Sequence, residues 1–355
     1  MGCKDMKTEI LKIEIENIDI KKIEYAAKVL QMGGVVAFPT ETVYGLGANA
    51  LDVKAVEKVF RAKGRPTDNP LILHITDQGS IDKLVLSIPS KAKTLMDKFW
   101  PGPLTILFEK SKLIPDIITA GLQTVGLRVP SHPIALALIQ EAGIPIAAPS
   151  ANTSGRPSPT AVSHVMDDLY GKVDIIIDGG CARVGVESTV LDMTIDPPMI
   201  LRPGGISFEE LTAVIGDVAM DKSLRNKNLE GLAPRAPGMK YTHYSPKADI
   251  IVVEGEILKV VEKIKALAKG CKADNIAVGI LSTEQTSAFY NGTPTISVGD
   301  RQNPRTIASN LFKALRDFDN IGVKLILAEA ISDQGIGLAI MNRLEKASGY
   351  NIIRV

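Results

Sequence analysis

Residues 21–31 place Ile23, Ala26, Ala27 and Leu30 at the spacing of one helical face, and Gly33-Gly34 closes that run before the short apolar segment VVAF. The pattern predicts a helix feeding a buried strand. It recurs downstream, with a helix over 53–61, a strand over LILHI (71–75), helical pieces up to Trp100 and a strand over LTILF (104–108). Further strands are predicted over VGLRV (125–129), PIAA (145–148), DIIID (174–178), STVLDM (188–193) and MILR (199–202), enough for a large mixed sheet. Ser207 and Glu210 have the spacing of a capping box and open a helix that ends near Gly216.

From about 217 to 248 the chain turns polar and carries Pro234, Pro237 and Pro246 without a sustained apolar period, so a linker is expected there. Beyond it, IIVVEG (250–255), a helix through 269, IAVGIL (276–281), a helix over 304–317, KLILAEA (324–330) and a final helix alternate regularly, the pattern of a doubly wound domain. At 355 residues the chain exceeds the roughly 250–300 at which one hydrophobic core stops growing. An α/β protein is expected, with a first domain over 1–216, a linker over 217–248 and a smaller α/β domain over 249–355.

Composition narrows the class. Hydrophobic residues at 45% and charged residues at 23% are ordinary for a globular chain. No apolar run approaches the ~18 residues of a membrane span, and MGCKDMKTEI lacks the apolar segment of a signal peptide, so neither a membrane nor export is expected. The Met-Gly-Cys start invites acylation, but Met6 stands where a myristoylation signal has Ser or Thr. Cys3, Cys181 and Cys271 are odd in number and widely separated, which leaves no disulfide framework or CxxC metal site and fits a reducing cytoplasm. A net charge of +1, from 41 basic and 40 acidic residues, argues against a protein that lives on a nucleic-acid backbone while leaving room for a local basic pocket.

No GxxxxGK[ST] loop, GxGxxG fingerprint, HExxH pair or GxSxG elbow occurs, so common ATPases, dehydrogenases, zinc proteases and esterases lose support. What stands out is glycine, proline, small hydroxyls and arginines crowded at strand ends. Backbone amides and the side chains of Ser150, Asn152 and Ser158 suit phosphate oxygens, because small residues let a polyphosphate approach the backbone. Arg65, Arg128 and Arg202 sit within two residues of Pro or Gly at loop or strand edges, where a guanidinium fork can hold a carboxylate or phosphate. Plainer accounts stand beside these: APSANTSGRPSPT taken alone reads sooner as a set of turns, and Lys63 and Arg65 as cations complementing a helix C-terminus. His74 reads as a structural histidine at a strand end, and His132 and His164 look structural too.

The ordered set PTETVYGLG, KGRPTDNPL, WPGPLT, GLRVP, PSANTSGRPSPT, GVESTV and LRPG, between residues 39 and 204, closely resembles the YrdC-like threonylcarbamoyl-AMP synthases. The likeness spans residues 17–216, and PRAPGMKYTHYSP with the α/β segment after it is similar to the two-domain branch of that family. The resemblance implies a YrdC-like twisted open mixed sheet with helices, whose concave face takes ATP and L-threonine, plus a smaller doubly wound α/β C-terminal domain. By motif, ATP would meet Lys63, Arg65, Asn69, Thr124, Ser150, Asn152, Ser158 and Arg202, with Lys63 and Arg65 in the catalytic roles. Threonine would lie against Thr42, His74, Arg128, Ala148 and Ser188, with Arg128 on its carboxylate. Tyr244 would reach back over the nucleotide. Apart from the resemblance, the run APRAPGMKYTHYSP is longer than two packed domains require and holds Tyr241, His243 and Tyr244 close together, which reads as a lid over the loaded cleft, the alternative being a flexible tether.

The activity so implied is that of a nucleotidyltransferase making threonylcarbamoyl-AMP and pyrophosphate from ATP, L-threonine and bicarbonate, for threonylcarbamoyl-adenosine in tRNA. Mg²⁺ would be held mainly by the ATP phosphates, with no metal ligand from the protein, since no carboxylate cluster is evident. The downstream partner would be a threonylcarbamoyl-transferase acting on tRNA. The rival from another class is an RNA-binding module on the same concave surface, with weak tRNA binding. Balanced charge and missing aromatic platforms weigh against it. A carbamoyl-transfer domain like that of hydrogenase-maturation proteins is a further rival, but the acylphosphatase and zinc-finger modules of those proteins do not occur in this sequence.

Overall fold

Asp19 accepts a hydrogen bond from the Lys22 amide and opens α1 (Ile20–Gln31), which buries the predicted stripe of Ile23, Ala26, Ala27 and Leu30. The structure, a computed structural model, describes residues 7–76, 78–224, 235–237 and 243–355. The Met-Gly-Cys start, residues 225–234 of the expected linker, which include lid residues Ala233 and Pro234, and lid residues 238–242 lie outside the described residues. The chain divides into two compact units, Met1–Ser154 with Ser158–Lys240, and Gly155–Pro157 with Tyr241–Val355.

In chain order the first unit contains β1 (Glu9–Lys12), α1, β2 (Val36–Phe38), β3 (Gly45–Asn49), α2 (Val53–Lys63), β4 (Ile72–His74), α3 (Ser90–Phe99), β5 (Leu104–Glu109), α4 (Asp116–Thr119), β6 (Thr124–Arg128), α5 (Pro133–Ala142), β7 (Ile146–Ala147), α6 (Val162–Leu169), β8 (Ile175–Asp178), β9 (Thr189–Asp192), β10 (Met199–Arg202), α7 (Phe208–Ile215) and β11 (Ala219–Met220). Among the described residues its strands form one eleven-stranded mixed sheet, ordered β1-β8-β2-β3-β7-β4-β6-β5-β9-β10-β11. Five neighbour pairs are parallel, among them β4 with β6 and β5 with β9. The capping box holds, with Ser207 accepting from Glu210 N and the Glu210 carboxylate from Ser207 N.

The period-two alternation of the central strands decides where the site lies. Leu73, Leu104, Ile106, Phe108, Val125 and Leu127 point into one core cluster beneath α3 and α7. That leaves Ile72, His74, Thr105, Leu107, Thr124, Gly126 and Arg128 for the opposite face. Truncating Leu73 or Ile106 to Ala would cost about 2–5 kcal/mol.

Two features depart from the sequence expectations. GLGAN (45–49) is the buried strand β3, hidden because two glycines read as loop. Its glycines are needed for packing, since a Cβ on Gly47 would come within 2.8 Å of Ile146 Cγ2 and the Phe38 ring. The stretch taken as linker from 217 begins as folded chain, because β11 pairs in parallel with β10 and Leu224 is buried in the core. Further along, Ala236 is buried against Ile72, Leu107, Val190 and Leu201.

The second unit contains β12 (Asp249–Glu254), α8 (Ile257–Ala273), β13 (Val278–Ser282), β14 (Thr295–Ser297), α9 (Pro304–Ile321), β15 (Leu325–Glu329), α10 (Gly337–Ala347) and β16 (Ile352–Arg354). Its strands run β14-β13-β15-β12-β16, and every neighbouring pair is parallel. α8 covers one face through Val260, Val261, Ile264 and Ala268, while Phe318 of α9 lies over Gly279 on the other. Helices on both faces of a parallel sheet make this a doubly wound domain.

Candidate active site

Asp52 caps α2 by accepting from the Lys54 and Ala55 amides, and Gly64 ends it in the left-handed region at φ 61°. Lys63 sits in the last turn, but it is no solvated helix-end cation. It is 2% exposed, and its Nζ donates to the carbonyls of Ser150 at 2.5 Å and Asn152 at 2.6 Å and to Asn152 Oδ1 at 3.3 Å. Ser154 N returns a bond to the Lys63 carbonyl at 2.8 Å. A buried ammonium with several protein acceptors therefore fastens the Ser150–Asn152 loop to the end of α2. Half-buried Arg65 reaches the carbonyls of Asn69 and Pro70, at 3.3 and 3.0 Å from Nη2. The buried Asn69 Oδ1 has no hydrogen-bond partner.

On the central strands His74 and Arg128 are register partners across β4 and β6, and His74 is also opposite Ile146 of β7. Arg128 Nη2 donates to Glu41 Oε1 at 2.6 Å and Nε to the Gly102 carbonyl at 3.2 Å. Burial first, and then the neighbouring Arg128 charge, push the His74 imidazole down to about 3, so it is neutral near pH 7. Its ring meets Phe38 edge-on at 6.2 Å. The Ala148 amide donates to the Ile72 carbonyl at 3.0 Å, which fixes that residue beside the same strand. Buried Thr42 shares a 2.8 Å hydroxyl contact with Thr40.

Arg202 ends β10 and donates to the Ser188 carbonyl at 2.9 Å and to Ser188 Oγ at 3.1 Å; Ser188 Oγ also lies 2.7 Å from Thr105 Oγ1. Ser158 donates to Glu187 Oε1 and Ser150 to Asn152 Oδ1, each at 2.6 Å. The structure thus joins Lys63 to Ser150 and Asn152, His74 to Arg128, and Ser188 to Arg202. Thr124 shares a face with Arg128, but it starts β6 where Arg128 ends it, about 13 Å away along the strand. Tyr244 belongs to the second unit, with φ 69° and its ring stacked on Phe312 at 5.2 Å beneath the Arg343 guanidinium.

Two family models match the chain, one described as telomere recombination over residues 28–204 and one as the threonylcarbamoyl-AMP synthase C-terminal domain over 206–349. The threonylcarbamoyl-AMP synthase of Pyrococcus abyssi is 51% identical over 96% of this chain and 98% of its own length, and that of Bacillus subtilis 50% over 94% of each. A crystal structure of P. abyssi Sua5 complexed with L-threonine superimposes with a TM-score of 0.93 at 50% identity, covering 98% of this chain and 100% of that one. The chain belongs to the threonylcarbamoyl-AMP synthase family. The curated relatives' name is that of a nucleotidyltransferase-type enzyme, and this chain is an enzyme of that type.

Within this synthase-family site, sequence reasoning missed residues that act through others. Glu41 lies in PTETVYGLG yet has no visible task until its partner Arg128 is known. Glu187 holds Ser158, and Thr105 holds Ser188. His164 accepts from the Thr160 amide at 3.2 Å, a structural role. His132, also read as structural, is 3% exposed and neither ring nitrogen has a partner. Burial pushes it down to about 4, against the opposing pull of Glu41. Among the described residues no trio of His, Cys, Asp or Glu gathers to hold a metal ion, and no helix is long and apolar enough to cross a membrane.

Proposed function

We propose that the protein acts in the cytoplasm and condenses ATP, L-threonine and bicarbonate to pyrophosphate and threonylcarbamoyl-AMP, the activated intermediate for threonylcarbamoyl-adenosine in tRNA. The observation that carries this reading is the likeness, over almost the whole chain, to P. abyssi Sua5 solved with L-threonine. The local chemistry supports it. Arg128, held by Glu41, presents its guanidinium to the threonine carboxylate, with Thr42, His74, Ala148 and Ser188 around the amino acid. Lys63, Arg65, Asn69, Thr124, Ser150, Asn152, Ser158 and Arg202 serve ATP, and Tyr244 is proposed to contact the nucleotide.

The threonine amine captures carbon dioxide released from bicarbonate, and the proton it loses combines with the hydroxide left by bicarbonate as water, giving a carbamate. A carbamate oxygen then attacks the α-phosphorus as the bond to pyrophosphate breaks. Such a step needs alignment and charge neutralisation more than covalent help. Arg65 and Arg202 supply fixed positive charge, and Lys63 holds the Ser150–Asn152 loop while adding its own. With no carboxylate cage among the described residues, a magnesium ion would be held by ATP phosphates and water, offsetting charge on the leaving pyrophosphate. His74, depressed to about 3, is a weak base and is assigned to positioning.

Incubation of the pure protein with ATP, bicarbonate and labelled threonine should release pyrophosphate and yield a threonine-labelled adenylate. Pyrophosphate release that ignores threonine would reject the reading. Arg65→Ala should abolish synthesis with the fold intact.

A further inference from the structure

The protein's charges nearly cancel, yet α8 concentrates them. Its 17 residues carry Lys259, Lys263, Lys265, Lys269 and Lys272 against the single acid Glu262. Lys265, Lys269 and Lys272 follow i, i+4, i+7 spacing and share one side of the helix over about 10 Å of its axis. That side borders a groove of about 210 Å³ whose far wall is Phe289, Asn291 and Thr293. Lys272 Nζ donates to the Gly292 carbonyl at 2.6 Å and fixes that wall to the helix. Lys265 and Lys269 are exposed and have no acidic partner among the described residues. Phe289 is 49% exposed, a large apolar ring left to solvent beside two such ammonium groups.

We propose that this groove on the C-terminal domain is a docking site for single-stranded RNA, with phosphates on Lys265 and Lys269 and a base stacked on Phe289. Charge complementarity selects a polyanion. The bare ring selects one with flat π faces, since bases stack on aromatic side chains whereas an acidic peptide offers no such partner. The groove is smaller than the roughly 300 Å³ at which enclosed ligand pockets begin, and it is open, so it suits a passing strand better than a free nucleotide. A lone exposed Phe is too little apolar surface for a membrane. The choice of RNA over DNA rests on the tRNA-modification reading above.

The test uses the full chain and fluorescence anisotropy with a labelled single-stranded oligoribonucleotide, without ATP or threonine. The double variant K265Q/K269Q should weaken binding about tenfold and lower the slope of log K against log salt by about 1.4. F289A should weaken binding about tenfold at an unchanged salt slope. K259Q/K263Q removes the same charge from the same helix away from the groove, and should change affinity less than twofold. Circular dichroism should be unaltered in all three, and pyrophosphate-releasing synthesis should match the wild type. Absence of binding by the wild type, equal losses in the two double variants, an F289A variant that binds normally, or equal affinity for a duplex of the same length would each overturn the proposal. Binding that follows this pattern in a protein that makes no adenylate would reject the synthase reading alone.

Discussion

Glu41 and Arg128 form an ion pair of 2.6 Å whose side chains are 3% and 5% exposed, and Glu41 Oε2 has no hydrogen-bond partner. A buried pair adds little net stability against an apolar substitute, but losing one member strands the other charge, at about 3 kcal/mol or more. The carboxylate's contribution is therefore to aim the guanidinium. Glu41→Gln keeps the shape and removes the charge that fixes Arg128. The threonine KM should rise about tenfold while the ATP KM stays within twofold. A variant that loses only kcat, with threonine binding by calorimetry unchanged, would show that Glu41 does not act through Arg128.

Lys63 fastens two segments that lie 87 residues apart in sequence at the Ser150 carbonyl. Lys63→Met preserves most of the buried stem but leaves the Ser150 and Asn152 carbonyls without their donor, a loss of about 3 kcal/mol. The melting temperature should drop by several degrees, and synthesis should fall at least a hundredfold because the loop is no longer held. A Met variant that melts like the wild type would mean the loop does not rest on this ammonium.

The contrast between Ile23 and Lys63 shows what the sequence could convey. Ile23, Ala26, Ala27 and Leu30 repeat at a spacing that only a helix can turn toward one core, and the capping box at Ser207 is a local bond pattern. Both were legible because cause and effect lie within a few residues. Lys63 was equally consistent with a solvated helix end, and its inward course depends on a loop that the chain reaches much later. Glu41 was in plain view within PTETVYGLG, but a buried carboxylate is explained only by its counter-ion. β3 was hidden for a packing reason, since the glycines that make GLGAN read as loop are the ones that let Phe38 and Ile146 close over it. The motif resemblance supplied roles for residues such as Ser188 and Arg202 that periodicity left silent.

Gly204 is fixed by closeness rather than by backbone angle. A Cβ there would lie 2.3 Å from Glu187 O, Ser188 C and Thr189 N, all of them backbone atoms that cannot rotate away. Gly204→Ala must push apart the segment Glu187–Thr189 that leads into β9 and the loop after Arg202, at a cost of about 3 kcal/mol. Gly216→Ala makes a useful contrast, because it meets no atom within 4 Å and pays only for its φ of 77°. Chemical denaturation should rank Gly204→Ala as the less stable of the two, with the larger loss of synthesis. Equal midpoints would contradict the close approach seen at Gly204.

His74 and His132 predict how stability depends on pH. Their folded values of about 3 and about 4 lie below the roughly 6.5 of an exposed histidine, so the unfolded chain takes up protons that the folded chain refuses. The sign follows: the neutral rings' contribution is fully present above pH ~6.5 and is lost progressively as the pH falls toward the folded values. Each histidine contributes a slope of at most about 1.4 kcal/mol per pH unit in that window. Urea midpoints should be flat from pH 8 to 7 and should decline between 6.5 and 5.5, before most carboxylates begin to protonate. His132→Gln should decline less steeply than the wild type over that interval. The same burial bears on turnover, because a ring depressed to about 3 has no titration to contribute between pH 6 and 8. His74→Asn should raise the threonine KM yet leave the shape of the pH–rate profile unchanged, as expected of a residue that positions the amino acid without taking its proton. An inflection near 6.5 in the wild type that disappears in His74→Asn would place the imidazole's titration in the working range and make it the base.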